Sequence, residues 1–255
     1  VKAVVLEKIG IGEGEAFEGR DKEIGAAFRA LRDKLIDTLH WLADKGKMTS
    51  AAADAAISRL NVVDTLDQLA HCDLVVEAIV EHLEAKHTLF AELESIVAQN
   101  AILATNTSSL SVTSIAAGLQ HPNRVAGFHF FNPVPLMKVI EVIGGMETDP
   151  AVVDELLALA GQLGHTGVRA KDTPVFIVKH AGRAYGTEGL KILEECVTTP
   201  AEIDRILREG AGFRMGPLEL FDLTGMDVSH PAMESIYAQF YHDPRYRPSY
   251  LSQQR

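Results

Sequence analysis

The sequence of 255 residues predicts an α/β fold, in which a parallel sheet covered by helices on both faces is followed by an all-helical region. Two observations predict this order. Short apolar segments of strand length alternate with helical stretches through the first part of the chain, as they do in βα units. After Thr173-Pro174 the strand pattern ends, and the later segments have helical patterns. We therefore expect two domains, 1–173 and 174–255, with a boundary near Asp172 to Val175.

The first elements are two helices. Apolar residues recur every three or four positions from Lys22 to Asp44, which predicts an amphipathic helix, and Gly46 suits its C-terminal cap. These apolar residues are Ile24, Phe28, Leu31, Leu35, Leu39 and Leu42. Thr49 then caps a short second helix that runs to about Arg59.

Five short apolar segments, separated by helical stretches such as Glu84 to Ala98, predict the strands of the sheet. They are Asn61–Val63, Leu74–Ala78, Ala101–Thr105, Val125–His129 and Lys138–Val142. In the second domain we expect helices at Phe176–Val197, Pro200–Glu209 and Pro217–Asp222, the last continuing through Pro231–Tyr241.

The composition excludes several classes of function. A net charge of −11 and a pI near 5.4 argue against a nucleic-acid or anionic-membrane surface, because phosphate binding needs a basic face. No apolar run approaches the ~20 residues of a membrane span, and no signal segment opens the chain. Cys72 and Cys196 make neither a disulfide framework nor a zinc site. We expect a soluble, cytoplasmic protein and, because the chain starts with Val1 and lacks a clear end, a piece of a longer one.

Polar residues cluster at the ends of predicted strands, in the runs Glu77–Glu81, Thr105–Leu110 and His129–Pro135. The ligand crevice of an open parallel sheet lies beyond the carboxyl ends of its strands, which gives these residues a reason to converge. Here His129 is a candidate general base. Glu141 lies in an apolar run, so its carboxylate needs a partner, and it could fix the tautomer of a histidine. A structural histidine and a solvated or capped glutamate remain alternatives.

Ser108 follows Asn106 in a strand-to-helix turn, where a hydroxyl beside an amide can polarise a bound carbonyl through hydrogen bonds. The alternative is that the run Asn106–Ser109 only caps the helix expected from Val112. Spacing alone does not decide between these two interpretations.

Longer motifs resemble the 3-hydroxyacyl-CoA dehydrogenase family, and they occur in the family's order along roughly residues 21–250. They are Leu74-Val-Val-Glu-Ala-Ile-Val-Glu81, Ala104-Thr-Asn-Thr-Ser-Ser-Leu110, Gly127-Phe-His-Phe-Phe-Asn-Pro-Val-Pro-Leu-Met-Lys138, Asp172-Thr-Pro174, Gly212-Phe-Arg-Met-Gly-Pro-Leu-Glu219 and Asp222-Leu-Thr-Gly225.

The resemblance implies a Rossmann-type NAD-binding domain followed by a helical dimerisation domain, with NAD as cofactor and an acyl-CoA thioester as substrate. It implies His129 as general base, Glu141 as its orienting carboxylate and Ser108 as a hydrogen-bond donor to the substrate oxygen.

The resemblance also implies contacts from the first domain to NAD and a second subunit. Glu81 and Lys86 fall where the family contacts the nicotinamide half of NAD, and Asn106 where it lines the same crevice; for Lys86 a solvated helix face is the alternative. The helices after Val175 would pair with their copy in a homodimer.

The N-terminus departs from the family, because we find no Gly-x-Gly-x-x-Gly turn of the kind that binds a pyrophosphate. The nearest candidate, Gly10–Glu15, has a different glycine spacing and acids that would repel phosphate. Asp21 falls at the position of the family's ribose-binding acid, although no strand pattern precedes it. In an alternative alignment, Val1–Leu6 is the second strand, Glu7 is the ribose acid and the first βα unit is missing.

Two further departures lie near the site. Val175 replaces a glycine of the family, and Lys179 stands where an active-site asparagine is expected. Lys179 could contact the substrate oxygen, but it would also compete for Glu141, so we predict a weakened enzyme. The alternative function is that of a non-catalytic homologue with the same fold, acting as a binding or structural protein after losing cofactor binding.

Overall fold

The structure is a computed structural model that describes residues 3–7 and 21–254. The chain divides into two compact units. The first comprises the residues up to Ala104 together with Leu119–His121, and the second comprises Thr105–Gly118 and the residues from Pro122 onward. The predicted fold class is confirmed: a sheet with mostly parallel strands and covering helices precedes an all-helical region.

Among the residues that the structure describes, the first unit contains three strands in the order β1-β2-β3, together with three α-helices. Strands β1 and β2 are parallel, and Glu7 at the end of β1 lies opposite Ala78 at the end of β2. The last residue of β3 belongs to the second unit. The elements are β1 (Ala3–Glu7), α1 (Asp21–Asp44), α2 (Ser50–Ile57), β2 (Leu74–Ala78), α3 (Leu83–Ile96) and β3 (Ile102–Thr105).

Local signals positioned the helices of this unit as predicted. Gly46 follows α1 with a φ of +67°, which glycine adopts at low cost. The hydroxyl of Thr49 caps α2 by accepting the N–H of Ala52 at 3.2 Å. The strand predicted at Asn61–Val63 is wrong, because the segment is irregular and no strand within residues 3–7 and 21–254 pairs with it.

The second unit contains three strands in the order β4-β5-β6 and six helices among the residues described. Strand β4 is antiparallel to β5, and β5 is parallel to β6. The elements are α4 (Val112–Ala116), β4 (Val125–Phe130), β5 (Val139–Gly144), α5 (Pro150–Gln162), β6 (Thr166–Lys171), α6 (Val178–Glu194), α7 (Pro200–Glu209), α8 (Pro217–Thr224) and α9 (Met226–Gln239).

Two features of this sheet differ from the prediction. Strand β5 reverses direction because only a short loop joins it to β4, and a parallel partner needs a longer crossover that a helix usually provides. Strand β6 was missed because much of it is exposed and it carries polar residues such as Arg169 and Lys171, so it lacks an apolar pattern.

The helical region follows the prediction with one interruption. Gly225, with a φ of +81°, separates α8 from α9, which were expected to be continuous.

The carboxylate of Asp204 accepts the N–H groups of Leu218 and Glu219 at the start of α8. Burial, followed by the charge of Asp204, raises the pKa of Tyr185, whose hydroxyl donates to a backbone carbonyl. No helix in the described part of the chain is long and apolar enough to cross a membrane.

Candidate active site

His129 and Glu141 form a buried pair in the second unit. They face each other directly across the antiparallel strands β4 and β5, so their side chains lie on the same face of the sheet. The imidazole Nδ1 lies 2.7 Å from the carboxylate Oε2, and the two residues are 5% and 1% exposed. Glu141 is therefore neither solvated nor a helix cap.

The chemistry of the contact determines which nitrogen carries the proton. An ionised carboxylate can only accept, so Nδ1 donates its hydrogen to Glu141. The second nitrogen of His129, Nε2, then has a lone pair that can take a proton from a bound hydroxyl. The ring of Phe131 lies beside the imidazole, with 4.6 Å between the ring centroids.

The second carboxylate oxygen of Glu141 is also hydrogen-bonded. Its Oε1 accepts the backbone N–H of Ile177 at 2.9 Å. The chain reaches this position through two residues with positive φ, Val175 at +60° and Phe176 at +50°. This backbone costs about 1–2 kcal/mol per residue, and burial of each side chain, worth about 1.5–3 kcal/mol, offsets that cost.

The turn after β3 carries Asn106 and Ser108. The side-chain oxygen of Asn106 accepts the N–H of Phe130 at 2.9 Å, which ties this turn to the residue after His129. The hydroxyl of Thr107 accepts the N–H of Leu110 at 2.9 Å, and this bond shapes the turn that carries the half-buried Ser108. The structure therefore brings Asn106 beside the strand end that holds the His129–Glu141 pair.

Helix α4 is capped by residues other than the run Asn106–Ser109. The hydroxyl of Ser111 accepts the N–H of Ser114 at 3.1 Å, so the interpretation of that run as the helix cap is wrong. The carboxylate of Asp172 accepts from the Ser111 hydroxyl and from the N–H groups of Val112 and Thr113, at 2.7 to 2.9 Å. Asp172 thereby connects the end of β6 with the start of α4.

A second polar cluster lies in the first unit, at the end of β2 and the start of α3. The ammonium of Lys86 is 2.6 Å from the carboxylate of Glu77 and 3.4 Å from that of Glu81. Lys86 and Glu77 are fully buried, whereas 36% of the Glu81 side chain is exposed. Lys86 does not lie on a solvated helix face, so that alternative is wrong.

Glu77 was not singled out as a site residue from the sequence, although a signal was present. An acid in the middle of an apolar strand needs a buried partner of opposite charge or several hydrogen-bond donors. Glu77 has both, since it also accepts the N–H of Ile79 at 2.5 Å. A glutamate inside Leu74–Ala78 therefore predicts a cation nearby.

The remaining candidates lie at the edge of what the structure describes. Asp21 is the first residue of α1 and does not end a strand, whereas Glu7 ends β1. The side chains of both residues lie outside the described part, as does the glycine candidate Gly10–Glu15. Lys179 lies in the first turn of α6, and its side chain is also outside that part.

Neither cysteine forms a disulfide: Cys72 is buried and Cys196 is exposed, each as a thiol. Across residues 21–254, no group of three His, Cys, Asp or Glu side chains is placed to hold a metal ion.

Two family models match the chain over most of its length. The 3-hydroxyacyl-CoA dehydrogenase NAD-binding domain matches residues 21–173, and the 3-hydroxyacyl-CoA dehydrogenase C-terminal domain matches residues 176–255. The 3-hydroxyadipyl-CoA dehydrogenase of Escherichia coli is 42% identical over 250 residues, which cover 96% of this chain and 52% of that protein.

Solved structures of 3-hydroxybutyryl-CoA dehydrogenases are also similar to this chain. A 3-hydroxybutyryl-CoA dehydrogenase from Escherichia coli superposes with a TM-score of 0.90 at 38% identity, covering all of this chain and 56% of that one. The (S)-3-hydroxybutyryl-CoA dehydrogenase of Ralstonia eutropha superposes with a TM-score of 0.88 at 31% identity, covering 100% of this chain and 93% of that one. The chain thus spans about half the length of the two Escherichia coli proteins that it matches.

Proposed function

The chain belongs to the 3-hydroxyacyl-CoA dehydrogenase family, and we propose that it oxidises a 3-hydroxyacyl-CoA to a 3-oxoacyl-CoA with NAD, or catalyses the reverse reaction. NAD is the cofactor that the matched NAD-binding domain indicates. One observation supports the reaction above the others: the buried His129–Glu141 pair, with 2.7 Å between the imidazole and the carboxylate.

In the oxidation, His129 acts as the general base. Its Nε2 takes the proton of the substrate's 3-hydroxyl group, while Glu141 holds the Nδ1–H and stabilises the imidazolium that forms. NAD supplies the acceptor for the hydride that leaves the same carbon. The hydroxyl has then lost a proton and the carbon a hydride, which leaves the 3-oxo group. In the reverse direction, the imidazolium returns its proton to the oxygen.

Ser108 and Asn106 support this step from the turn after β3. We assign the Ser108 hydroxyl to donate to the substrate oxygen, where negative charge develops as the proton leaves. Asn106 holds the end of β4 through the Phe130 N–H, and its side chain would line the cofactor crevice as the family resemblance implies. Lys179 would bring a cation to this region and compete for Glu141, which lowers activity in our interpretation.

We propose that the charge cluster of the first unit contacts the nicotinamide half of NAD through Glu81. Lys86 is fully buried and lies within 3.4 Å of two carboxylates and of the carbonyl of Ile79. Glu81 is partly exposed, and a carboxylate can accept from ribose hydroxyls. We therefore assign contact with the cofactor to Glu81, and to Lys86 the role of holding the Glu81 carboxylate. The position of the ribose acid, Asp21 or Glu7, stays a prediction.

The assembly and domain division are also proposals. Apolar side chains are exposed on the helical region, among them Ile206 on α7 and Leu223 on α8, at 54% and 71%. Exposed apolar residues on adjacent helices favour a homodimer through the C-terminal helices. The end of the last strand at Lys171 favours domains 1–173 and 174–255. The cytoplasmic location stays a prediction from the sequence.

The test is an absorbance assay of NADH with acetoacetyl-CoA, together with a fluorescence titration of NADH binding. We expect NADH oxidation that disappears in His129→Ala, while NADH binding changes little. Binding without oxidation in the unaltered chain would contradict the proposed reaction.

The second candidate is the non-catalytic homologue, favoured by the missing glycine-rich turn. It predicts that NADH does not bind at all, because the sequence before Asp21 lacks the glycine-rich turn that binds a pyrophosphate. A chain that binds NADH with a dissociation constant below about 100 μM would exclude this candidate.

A further inference from the structure

Glu141 is held from two sides, and the second contact is a backbone amide. Oε2 receives the His129 Nδ1–H at 2.7 Å, and Oε1 receives the Ile177 N–H at 2.9 Å. Because Glu141 is only 1% exposed, bulk water does not replace these donors. Because each oxygen accepts from a donor, the carboxylate cannot rotate about its last bond without losing a hydrogen bond.

The Ile177 N–H points at Glu141 because of the backbone before it. Val175 and Phe176 have φ values of +60° and +50°, and this turn leads the chain into α6. Val175 is 1% exposed and packs in a cluster with Ile236 and Tyr246, and Phe176 is 3% exposed. The packed side chains hold the turn, and the turn directs the amide.

We propose that the backbone amide of Ile177 is a positioning group for the site: it fixes the plane of the Glu141 carboxylate, and through it the direction and tautomer of the His129 imidazole. The proposal rests on the proposed function of this pair. The amide acts through Glu141 and touches neither substrate nor cofactor. Because the contact belongs to the main chain, Ile177→Val should leave it intact.

The direct test replaces the amide by an ester. Incorporation of the α-hydroxy acid corresponding to isoleucine at position 177 removes the N–H and keeps the side chain. The same change at Val197, with the corresponding α-hydroxy acid, is the matched control. The Val197 N–H bonds the Ile192 carbonyl at 3.2 Å, at the far end of α6. One readout is the Nδ1–H proton resonance of His129, which is assigned by its loss in His129→Gln. The other is the change in kcat compared with the change in KM.

For the 177 ester we expect the Nδ1–H proton to exchange with solvent at least about tenfold faster, and kcat to fall about tenfold with KM within about twofold, as expected for loss of a hydrogen bond to a charged group. The Val197 ester should change neither quantity. An unchanged resonance and exchange rate in the 177 ester would overturn the proposal. The resonance needs no turnover, so absent activity in the unaltered chain would count against the proposed function alone.

A second pair of variants tests the turn if the ester does not fold. Val175→Gly and Val175→Pro both remove the packed isopropyl group, but only glycine can adopt the positive φ, since proline is held near −65°. We expect the His129 Nδ1–H resonance to remain in the glycine variant and to disappear in the proline variant. Retention in both, or loss in both, would overturn the proposal.

Discussion

Replacing Glu141 by Gln tests the proposed catalytic pair of His129 and Glu141 most directly, because the change keeps the shape of the side chain and removes its charge. The two carboxylate oxygens receive the His129 Nδ1–H and the Ile177 N–H. A glutamine amide has one accepting oxygen, and its nitrogen donates. In either orientation the nitrogen faces one of these donors. The imidazole must then change tautomer, or the Ile177 hydrogen bond is lost.

The size of the effect follows from the charges in the reaction. In the proposed reaction, His129 takes the proton and a cation forms beside the Glu141 anion. At an effective dielectric constant of about 20, unit charges about 4 Å apart attract by about 4 kcal/mol, which corresponds to roughly 10³-fold in rate. General-base catalysis contributes about 10²–10⁴-fold, which includes this value. We expect kcat to fall by about 10³-fold, with KM within about threefold.

The measurement is steady-state oxidation of NADH by acetoacetyl-CoA, with the unaltered chain and Glu141→Gln compared at saturating substrate. Glu155→Gln on the exposed surface of α5 makes the same change of charge away from the site, and it should leave kcat unchanged. The reasoning is refuted if kcat of the Glu141→Gln variant lies within about threefold of the unaltered value.

Three other substitutions test two buried contacts and the proposed effect of Lys179. Glu77→Gln leaves the Lys86 ammonium without its buried charge partner, so the free energy of unfolding in urea should fall by about 3–5 kcal/mol. Gly216→Ala would place a methyl group against the Asp204 carboxylate and break its bonds to the start of α8, lowering the free energy of unfolding by about 2–3 kcal/mol. Lys179→Asn introduces the residue that the family resemblance predicts at this position, and because we propose that Lys179 competes for Glu141, we expect turnover in the NADH assay to rise about tenfold.

Matched controls make these outcomes specific. Glu84→Gln changes an exposed acid on α3 and should alter stability by less than about 0.5 kcal/mol. Gly182→Ala, where an added Cβ meets nothing within 4 Å, should stabilise α6 by about 0.5–1 kcal/mol. The stability arguments would be contradicted if Glu77→Gln and Glu84→Gln had the same free energy of unfolding, or if Gly216→Ala kept that of the unaltered chain. The argument for Lys179 would be contradicted if turnover of Lys179→Asn were unchanged.

Most elements could be predicted from the sequence, because local patterns carry the signal for each. The α1 helix follows from its three- and four-residue spacing, and β2 from its apolar run. Strand β6 escaped prediction because an edge strand with exposed polar residues has no such pattern. The extra strand at Asn61–Val63 shows the opposite error, since an apolar segment becomes a strand only where another strand can pair with it.

The sequence predicted which residues belong to the candidate site, and their roles stay predictions, but it did not predict the geometry of their contacts. Motif order identified His129, Glu141 and Ser108, and it identified Glu81 and Lys86 through the same resemblance. It could not show that Lys86 is buried between carboxylates, since a lysine in the first turn of a helix is usually solvated. Burial depends on what packs over the residue, and that partner, Glu77, is nine positions away.

The sequence by itself determined which residue types are available: an acid and a histidine in two apolar strands, a polar turn after β3, and helices in the second half. Only the tertiary structure decided that His129 and Glu141 face each other, because that requires the antiparallel register of β4 and β5. Only the fold brings the Ile177 amide to Glu141, from 36 residues along the chain. Contacts between residues distant in sequence depend on packing, and no local pattern specifies them.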